Sequence, residues 1–277
     1  MAGVGAAAEA DAYDALERRI WDGRADAYAA SFARLCAHPV PALLDAAGVQ
    51  AGRAVLDVGT GTGAAAAAGC ARGARVTAVD AEPSMLAATR RNAPEAAVHA
   101  ATLPELPFAD GTFDAVVGNF VLNHVGRQGA AVAELRRVLR PGGRLALTVW
   151  AQPPLPGQTL LGRAVEAAGA PRPAHLPPAP AALQATGTPE GLTALVAGAG
   201  LRDADCRTLR WNHRTSAEDW WAGPAGRVAF IGELLHSQTP EMRAAVKREF
   251  ERLAEEFRGP DGELALPHAA LLVSGRR

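Results

Sequence analysis

The chain changes its hydrophobic rhythm about fifty residues in. Through ALERRIW at 15–21 and ADAYAASFARLCA at 25–37, apolar residues return every three or four positions, the period of a helix with one buried face. PVPALLDAAGV at 39–49 continues from proline-led turns, so residues of about 9–47 are expected to form helices packed ahead of a sheet. After the turn Gln50-Ala51-Gly52 come short apolar runs, RAVLDVG, RVTAVDA, AAVHAA, FDAVVGNF and RLALTVW, separated by helix-like stretches. Strands alternating with helices at this spacing predict a parallel sheet with right-handed crossovers.

The pattern loosens over 151–181, where Pro153, Pro154, Pro156, Pro171, Pro173, Pro177, Pro178 and Pro180 predict a long irregular connection of the kind that covers a site. TPEGLTALVAGAG then reads as a helix capped by Thr188 and ended by Gly198 or Gly200. CRTLRWNHR reads as a strand, AEDWWAG and roughly 226–257 as helices, and ALPHAALLVSG as a closing strand. The last two strands are therefore expected to be joined by a helical insertion of about thirty to forty residues, a lid.

The most informative stretch is Val55-Leu56-Asp57-Val58-Gly59-Thr60-Gly61-Thr62-Gly63, a buried strand running into a glycine turn and then an alanine-rich helix start. Positions without side chains let backbone approach a ligand closely, and the amides opening the helix favour its polar part. The second strand ends in Asp80, where a carboxylate can accept both hydroxyls of a ribose. Together these point to an adenosine-bearing cofactor. Gly59-x-Gly61-x-x-Ala64 also satisfies the looser dinucleotide fingerprint, so a nicotinamide cofactor and a plain tight turn stay open at this point.

Composition narrows the partners. A length of 277 residues with 49% apolar content suffices for one large α/β domain, and a net charge of −1 without a basic stripe argues against nucleic acid. Three cysteines at wide spacing, Cys36, Cys70 and Cys206, suggest neither a disulfide framework nor a zinc cluster, and no His/Asp/Glu set has metal-ligand spacing. Glu9, Asp11 and Asp14 interrupt the opening where a signal peptide needs an apolar run, and AAAAAGCA at 64–71 is too short to cross a bilayer. A soluble cytoplasmic protein without a metal, nucleic-acid or membrane partner is expected, its state, monomer or homodimer, left open.

In combination these residues resemble a known family. Asp57-Val58-Gly59-Thr60-Gly61-Thr62-Gly63 resembles the first motif of class I S-adenosylmethionine-dependent methyltransferases, and Asp80 their ribose-binding acid. LPFADGTFDAVVGNFVLNHV at 106–125 and LRRVLRPGGRLALTVW at 135–150 resemble their later motifs, in order, so that the likeness covers about residues 20–150. The resemblance implies a Rossmann-like three-layer α/β/α sandwich around a seven-stranded, mostly parallel sheet with an antiparallel last strand. It also implies one methyltransferase domain over 1–277: N-terminal helices at 1–50, a cofactor-binding core at 51–150, and a substrate-covering lid with the last two strands at 151–277.

For the site, the resemblance implies that the methionine part of S-adenosylmethionine lies over Gly59, Thr60 and Gly61, with Asp57 holding its ammonium through water or directly. Asp80 takes the ribose, Ala81 and Met85 flank the adenine, and Asn119 faces the methionine end. Where such proteins often carry an adenine-binding Asp, this chain has Thr102 between Ala101 and Leu103, so adenine recognition must lean on backbone and the Thr102 hydroxyl. Tyr28 resembles the aromatic that closes over the cofactor, or is a plain helix-packing ring.

Methyl transfer from a sulfonium needs a positioned nucleophile and exclusion of water; a base is optional. His124, in the loop after the fourth strand, is the candidate base, with a loop or capping role as its alternative. His213 and His236 fall in the lid half and read as surface or packing residues. Trp211, Trp220, Trp221 and Phe230 concentrate aromatic surface where the acceptor should be covered, either to stack on it or to anchor the lid. A small organic acceptor, a secondary metabolite or quinone-like compound, is expected by analogy with the family, with oxygen, nitrogen or carbon as its methylated atom. Two rivals remain: a pseudo-methyltransferase that binds the cofactor for another purpose, and a nicotinamide oxidoreductase, against which Arg140-Pro141-Gly142-Gly143 and the closing ALLVSG strand speak.

Overall fold

The structure, a computed structural model, describes residues 2–178 and 180–277. Helices α1 (Ala2–Trp21), α2 (Ala25–Ala29), α3 (Ala33–Ala37) and α4 (Val40–Ala46) precede the sheet. The first begins earlier than the expected residue 9, because alanine favours helix even where the apolar stripe is weak.

From there strands and helices alternate: β1 (Ala54–Val58), α5 (Ala64–Ala71), β2 (Arg75–Asp80), α6 (Pro83–Asn92), β3 (Ala97–Ala100), β4 (Phe113–Asn119), α7 (Gln128–Val138) and β5 (Leu139–Trp150). The remaining elements are α8 (Pro156–Ala167), α9 (Ala181–Ala185), α10 (Pro189–Gly198), β6 (Arg202–Thr215), α11 (Ala217–Ala225), α12 (Ala229–His236), α13 (Pro240–Ala254) and β7 (Leu264–Arg276).

The seven strands form one sheet in the order β3-β2-β1-β4-β5-β7-β6, parallel through β5, with β7 antiparallel to both neighbours. Chain order reverses between β1 and β4, and the crevice outside the carboxyl ends of strands at such a switch point is where open α/β sheets bind ligands. One face packs Leu56, Val116, Leu145 and Leu147 against Leu135 of α7 and Leu192 of α10. The other packs Val55, Val117 and Ala146 against Leu43 and Leu44 of α4 and Ala66 of α5. These are the three expected layers.

Three boundaries differ from the sequence reading. Within the proline-rich 151–181, α8 is a regular twelve-residue helix. Pro156 sits in its first turn, where a missing N–H costs nothing, and the other prolines lie outside it. The stretch 226–257 is broken into α12 and α13 at Ser237–Thr239, where the Thr239 side chain caps α13 and Pro240 opens it. The insertion between β6 and β7 is consequently longer than expected, residues 216–263.

Candidate active site

The crevice is built on the turn after β1. Gly59 and Gly61 have φ of 65° and 56°, in the left-handed region open to glycine. A Cβ on Gly59 would lie 2.4 Å from Val121 Cγ2, so a side chain is excluded by space as well as by conformation. At Gly61 the nearest atom to such a Cβ is Tyr28 Cε1 at 3.9 Å, which places the Tyr28 ring over the turn. From below, Thr89 Oγ1 donates to Gly61 O (2.8 Å) and Asn92 Nδ2 to Thr62 O (2.8 Å), so α6 holds the turn rigid.

Two carboxylates face this turn. Asp57, at the penultimate position of β1, is 1% exposed and accepts from Thr60 Oγ1 at 2.7 Å, but its Oδ1 is buried with no partner. Burial, with the Asp80 charge adding to it, pushes the Asp57 carboxyl up to about 6. An orphaned carboxylate oxygen is costly to bury, and an ammonium group fits the vacancy in its hydrogen bonding. Asp80 accepts from Gly61 N (2.9 Å) and Glu82 N (3.0 Å), so it braces the turn as well as facing the crevice. Burial raises its pKa while those amides oppose the rise.

The other expected residues divide. Asn119 lines the crevice with Tyr28, Cys36, Asp57 and the glycine turn. Its side chain is committed in both directions, Nδ2 donating to Cys36 O (2.7 Å) and Oδ1 accepting from Thr148 Oγ1 (2.7 Å). Met85 is buried against α2 with Ala25, Ala88, Trp21 and Tyr28, whereas Ala81 is exposed. Ala101 and Leu103 are half-buried and Thr102 exposed at the far side of Asp80, whose carbonyl accepts from Ala101 N at 3.1 Å.

His124 ends a short 3-10 turn, Val121–His124, and meets α1. Its Nδ1 is 2.8 Å from Glu17 Oε2 and 3.3 Å from Trp21 Nε1. A carboxylate only accepts, so Nδ1 carries the proton toward Glu17, and the Trp21 N–H finds its acceptor in Glu17 Oε2 at 3.2 Å instead. Burial pulls the Glu17 carboxyl up, but the His124 charge together with donors from His124 and Trp21 outweighs it and holds the pKa below the usual value. Along the same helix Tyr13 Oη donates to Asn123 O (2.7 Å), Asp14 accepts from Gly126 N (2.6 Å) and Asp11 accepts from Arg127 (2.7 Å). One face of α1 thus clasps residues 123–127.

Sequence reading missed what lies on the other side of Asn119. Phe120 has φ 60°, a conformation rare for a bulky residue, and stacks on Trp150 with centroids 4.1 Å apart. From Trp150 the aromatic contacts run to Trp211 (6.2 Å) and His268 (6.0 Å), and on to His213, Trp220, Phe32 and His38. His213, expected at the surface or as packing, is 3% exposed and His268 2%. His236 is exposed, its Nε2 2.9 Å from Ala225 O. Of the lid aromatics, Trp211 and Trp220 join the cluster, Trp221 packs on Phe250 of α13, and Phe230 lies under Arg172. The available signal was WNHR: Trp211 and His213, two apart, share one face of a strand end. Their partner His268 is met only through the β6–β7 register.

Among the described residues, no group of three or more His, Cys, Asp or Glu could hold a metal ion, and no helix is long and apolar enough to cross a membrane.

Known proteins resemble this chain in sequence over its first five strands and in fold over most of its length. Residues 56–147 match the family described as Methyltransferase domain. A demethylmenaquinone methyltransferase of Beutenbergia cavernae is 41% identical over 122 residues, 44% of this chain and 51% of that protein. A ubiquinone/menaquinone biosynthesis C-methyltransferase of Paracoccus denitrificans is 42% identical, over 42% of this chain and 49% of its own length. The chain thus spans about half the length of the curated relatives it matches. The fold extends further: the YcgJ protein of Bacillus subtilis superposes on 87% of this chain and 98% of its own, with a TM-score of 0.53 at 22% identity. Residues 56–147, from β1 into β5, thus match the methyltransferase-domain family, and over most of its length the chain shares its fold with the YcgJ protein.

Proposed function

We propose that the protein is an S-adenosylmethionine-dependent methyltransferase that acts on a small, flat, quinone-like acceptor. The observation that carries the cofactor is the orphaned Asp57 Oδ1 beside the glycine turn, a buried acceptor that an ammonium completes. In this reading Gly59, Thr60 and Gly61 bear the methionine part, and Asp80 receives the ribose hydroxyls on the lone pairs its two amide donors leave free. Ala81, Met85, Ala101, Thr102 and Leu103 line the adenine end, while Tyr28 closes over the turn and Asn119 ties the methionine end to α3. The sulfonium supplies an electrophilic methyl group whose in-line displacement leaves a neutral thioether. The chain's part is to hold the acceptor in line and to exclude water. The acceptor class rests on the names of the relatives and on the aromatic cluster beyond Asn119. The setting we propose is the cytoplasm, as a monomer or homodimer, without nucleic-acid or membrane partners.

Calorimetric titration with S-adenosylmethionine, with NAD as control, tests this reading. Binding of the former alone is expected, with Asp80→Ala weakening it by about 1.5–3 kcal/mol through lost charge-assisted hydrogen bonds. Binding of NAD, or of neither, overturns it.

A further inference from the structure

Strand register places the aromatic cluster on one face of the sheet. Asn119 of β4 lies opposite Thr148 of β5. Two residues on, Trp150 lies opposite Ala270 of β7, and two residues from Ala270, His268 lies opposite Trp211 of β6. Alternate residues of a strand share a face, so Asn119, Thr148, Trp150, His268, Trp211 and His213 form one row along the carboxyl edge of the sheet. The row starts at the methionine end of the cofactor crevice and runs beneath α11.

Three polar atoms in this row and its cover are buried without a partner: Trp211 Nε1, His213 Nδ1 and Trp220 Nε1. Each is unfavourable to bury relative to an apolar group of the same shape, and buried orphans at that density call for an explanation. His268 adds a fourth feature. Its Nδ1 is 2.8 Å from Leu266 O, and a carbonyl only accepts, so Nδ1 holds the ring proton. Burial first, and His38 after it, push this imidazole down to about 4, so at neutral pH it is uncharged and Nε2 keeps its lone pair. The charged and titratable groups acting on the row are His38, His213, His268 and Arg34 of α3. A donor and an acceptor on directly opposed residues are complementary to a hydroxyl.

Resting on the methyltransferase reading, we propose that Trp211 and His268 form a hydroxyl clamp for a flat aromatic acceptor, the indole N–H donating to its oxygen and His268 Nε2 receiving its proton. The O–H bond breaks, an N–H bond forms at Nε2, and the electron pair stays on the acceptor's oxygen, conjugated with the ring. A weak base suffices, because the hydroxyl becomes strongly acidic as its oxygen gives electron density to the incoming methyl group. The ring lies along the row that begins at Trp150.

The test is binding, followed by tryptophan emission, of 2-naphthol, 2-methoxynaphthalene and naphthalene to the full chain saturated with S-adenosylhomocysteine. The ether can accept from Trp211 but cannot donate to His268; the hydrocarbon can do neither. The wild type is expected to prefer 2-naphthol over the ether by about tenfold, and His268→Phe to abolish that preference. Trp211→Phe, which removes an orphaned donor and should fold at least as well, is expected to abolish the preference of the ether over naphthalene. Equal affinity for all three probes in the wild type, or a naphthol preference that survives His268→Phe, overturns the clamp. Failure of S-adenosylhomocysteine to bind at all strikes the methyltransferase reading instead, and the three probes alone still decide the clamp.

Discussion

On the proposed reading, Asp57 would link protonation to cofactor affinity. Its pKa lies near 6 because the carboxylate is buried beside Asp80 with one oxygen unpaired, and an ammonium stabilises only the ionised form. Affinity for S-adenosylmethionine is therefore expected to fall as pH drops through about 6, approaching about tenfold per pH unit below it. 5′-Methylthioadenosine, which lacks the amino-acid part, should show a flat profile over the same range. Calorimetry at pH 5, 6 and 7 with both ligands measures the difference; parallel profiles would detach Asp57 from the ammonium. Asp57 and Asp80 were legible in the sequence because each stands at the end of a short apolar run, Asp57 one residue before β1 closes and Asp80 as the last residue of β2. His268 and Trp211 were not, because what matters about them is their opposition across β6 and β7, fixed by an antiparallel pairing between segments more than fifty residues apart. Nor does sequence reveal that Asn119 spends both ends of its amide on Cys36 and Thr148.

At the scale of elements, β1 to β4 followed their predicted places because propensity and pattern agree there, and β5 ends where expected but begins at Leu139, ahead of the expected Arg144. The departures were in α8 and in the α12–α13 break, where prolines stand at helix starts rather than inside helices. The α1 clasp escaped notice for another reason. Its contacts with 123–127 are polar and half-exposed, and nothing in the helical period of α1 says which loop it will meet. The clasp bears on His124. With Nδ1 turned to the Glu17 carboxylate and its ring edge-on to Trp21 (5.2 Å), the contacts favour a positioning role that holds α1 on the loop after β4. His124→Ala is expected to lower the melting temperature by a few degrees, equivalent to about 1–2 kcal/mol, and to weaken cofactor binding because Trp21 packs on Tyr28. Lost turnover with unchanged melting and cofactor affinity would instead assign His124 the role of base expected from its place in the sequence.

For the whole molecule, the buried imidazoles set the response to acid. His213 and His268 titrate near 4 when folded, against an ordinary value near 6.5, so between those limits the unfolded chain binds more protons than the folded one. Stability is full above about 6.5 and is lost as pH falls toward 4. Asp57, over about pH 4 to 6, and Asp80 are shifted upward and work in the opposite sense, while His38, shifted downward, adds to the two buried imidazoles. Denaturant unfolding is expected to show a net loss on the order of 2 kcal/mol between pH 7 and pH 5. The double substitution His213→Leu with His268→Leu should remove most of that dependence; an unchanged slope would mean that both rings reach solvent. Residues 25–38 carry a consequence at the same scale. This short segment touches the glycine turn through Tyr28 and the indole–imidazole row through Phe32 and His38. On the proposed reading, cofactor and acceptor would share one stretch of backbone to immobilise. Whichever arrives first meets the entropic cost of fixing it, the second finds it fixed, and by reciprocity each tightens the other by the same factor. Such synergy would close the segment mainly when both ligands are present, so that water is excluded at the moment of transfer.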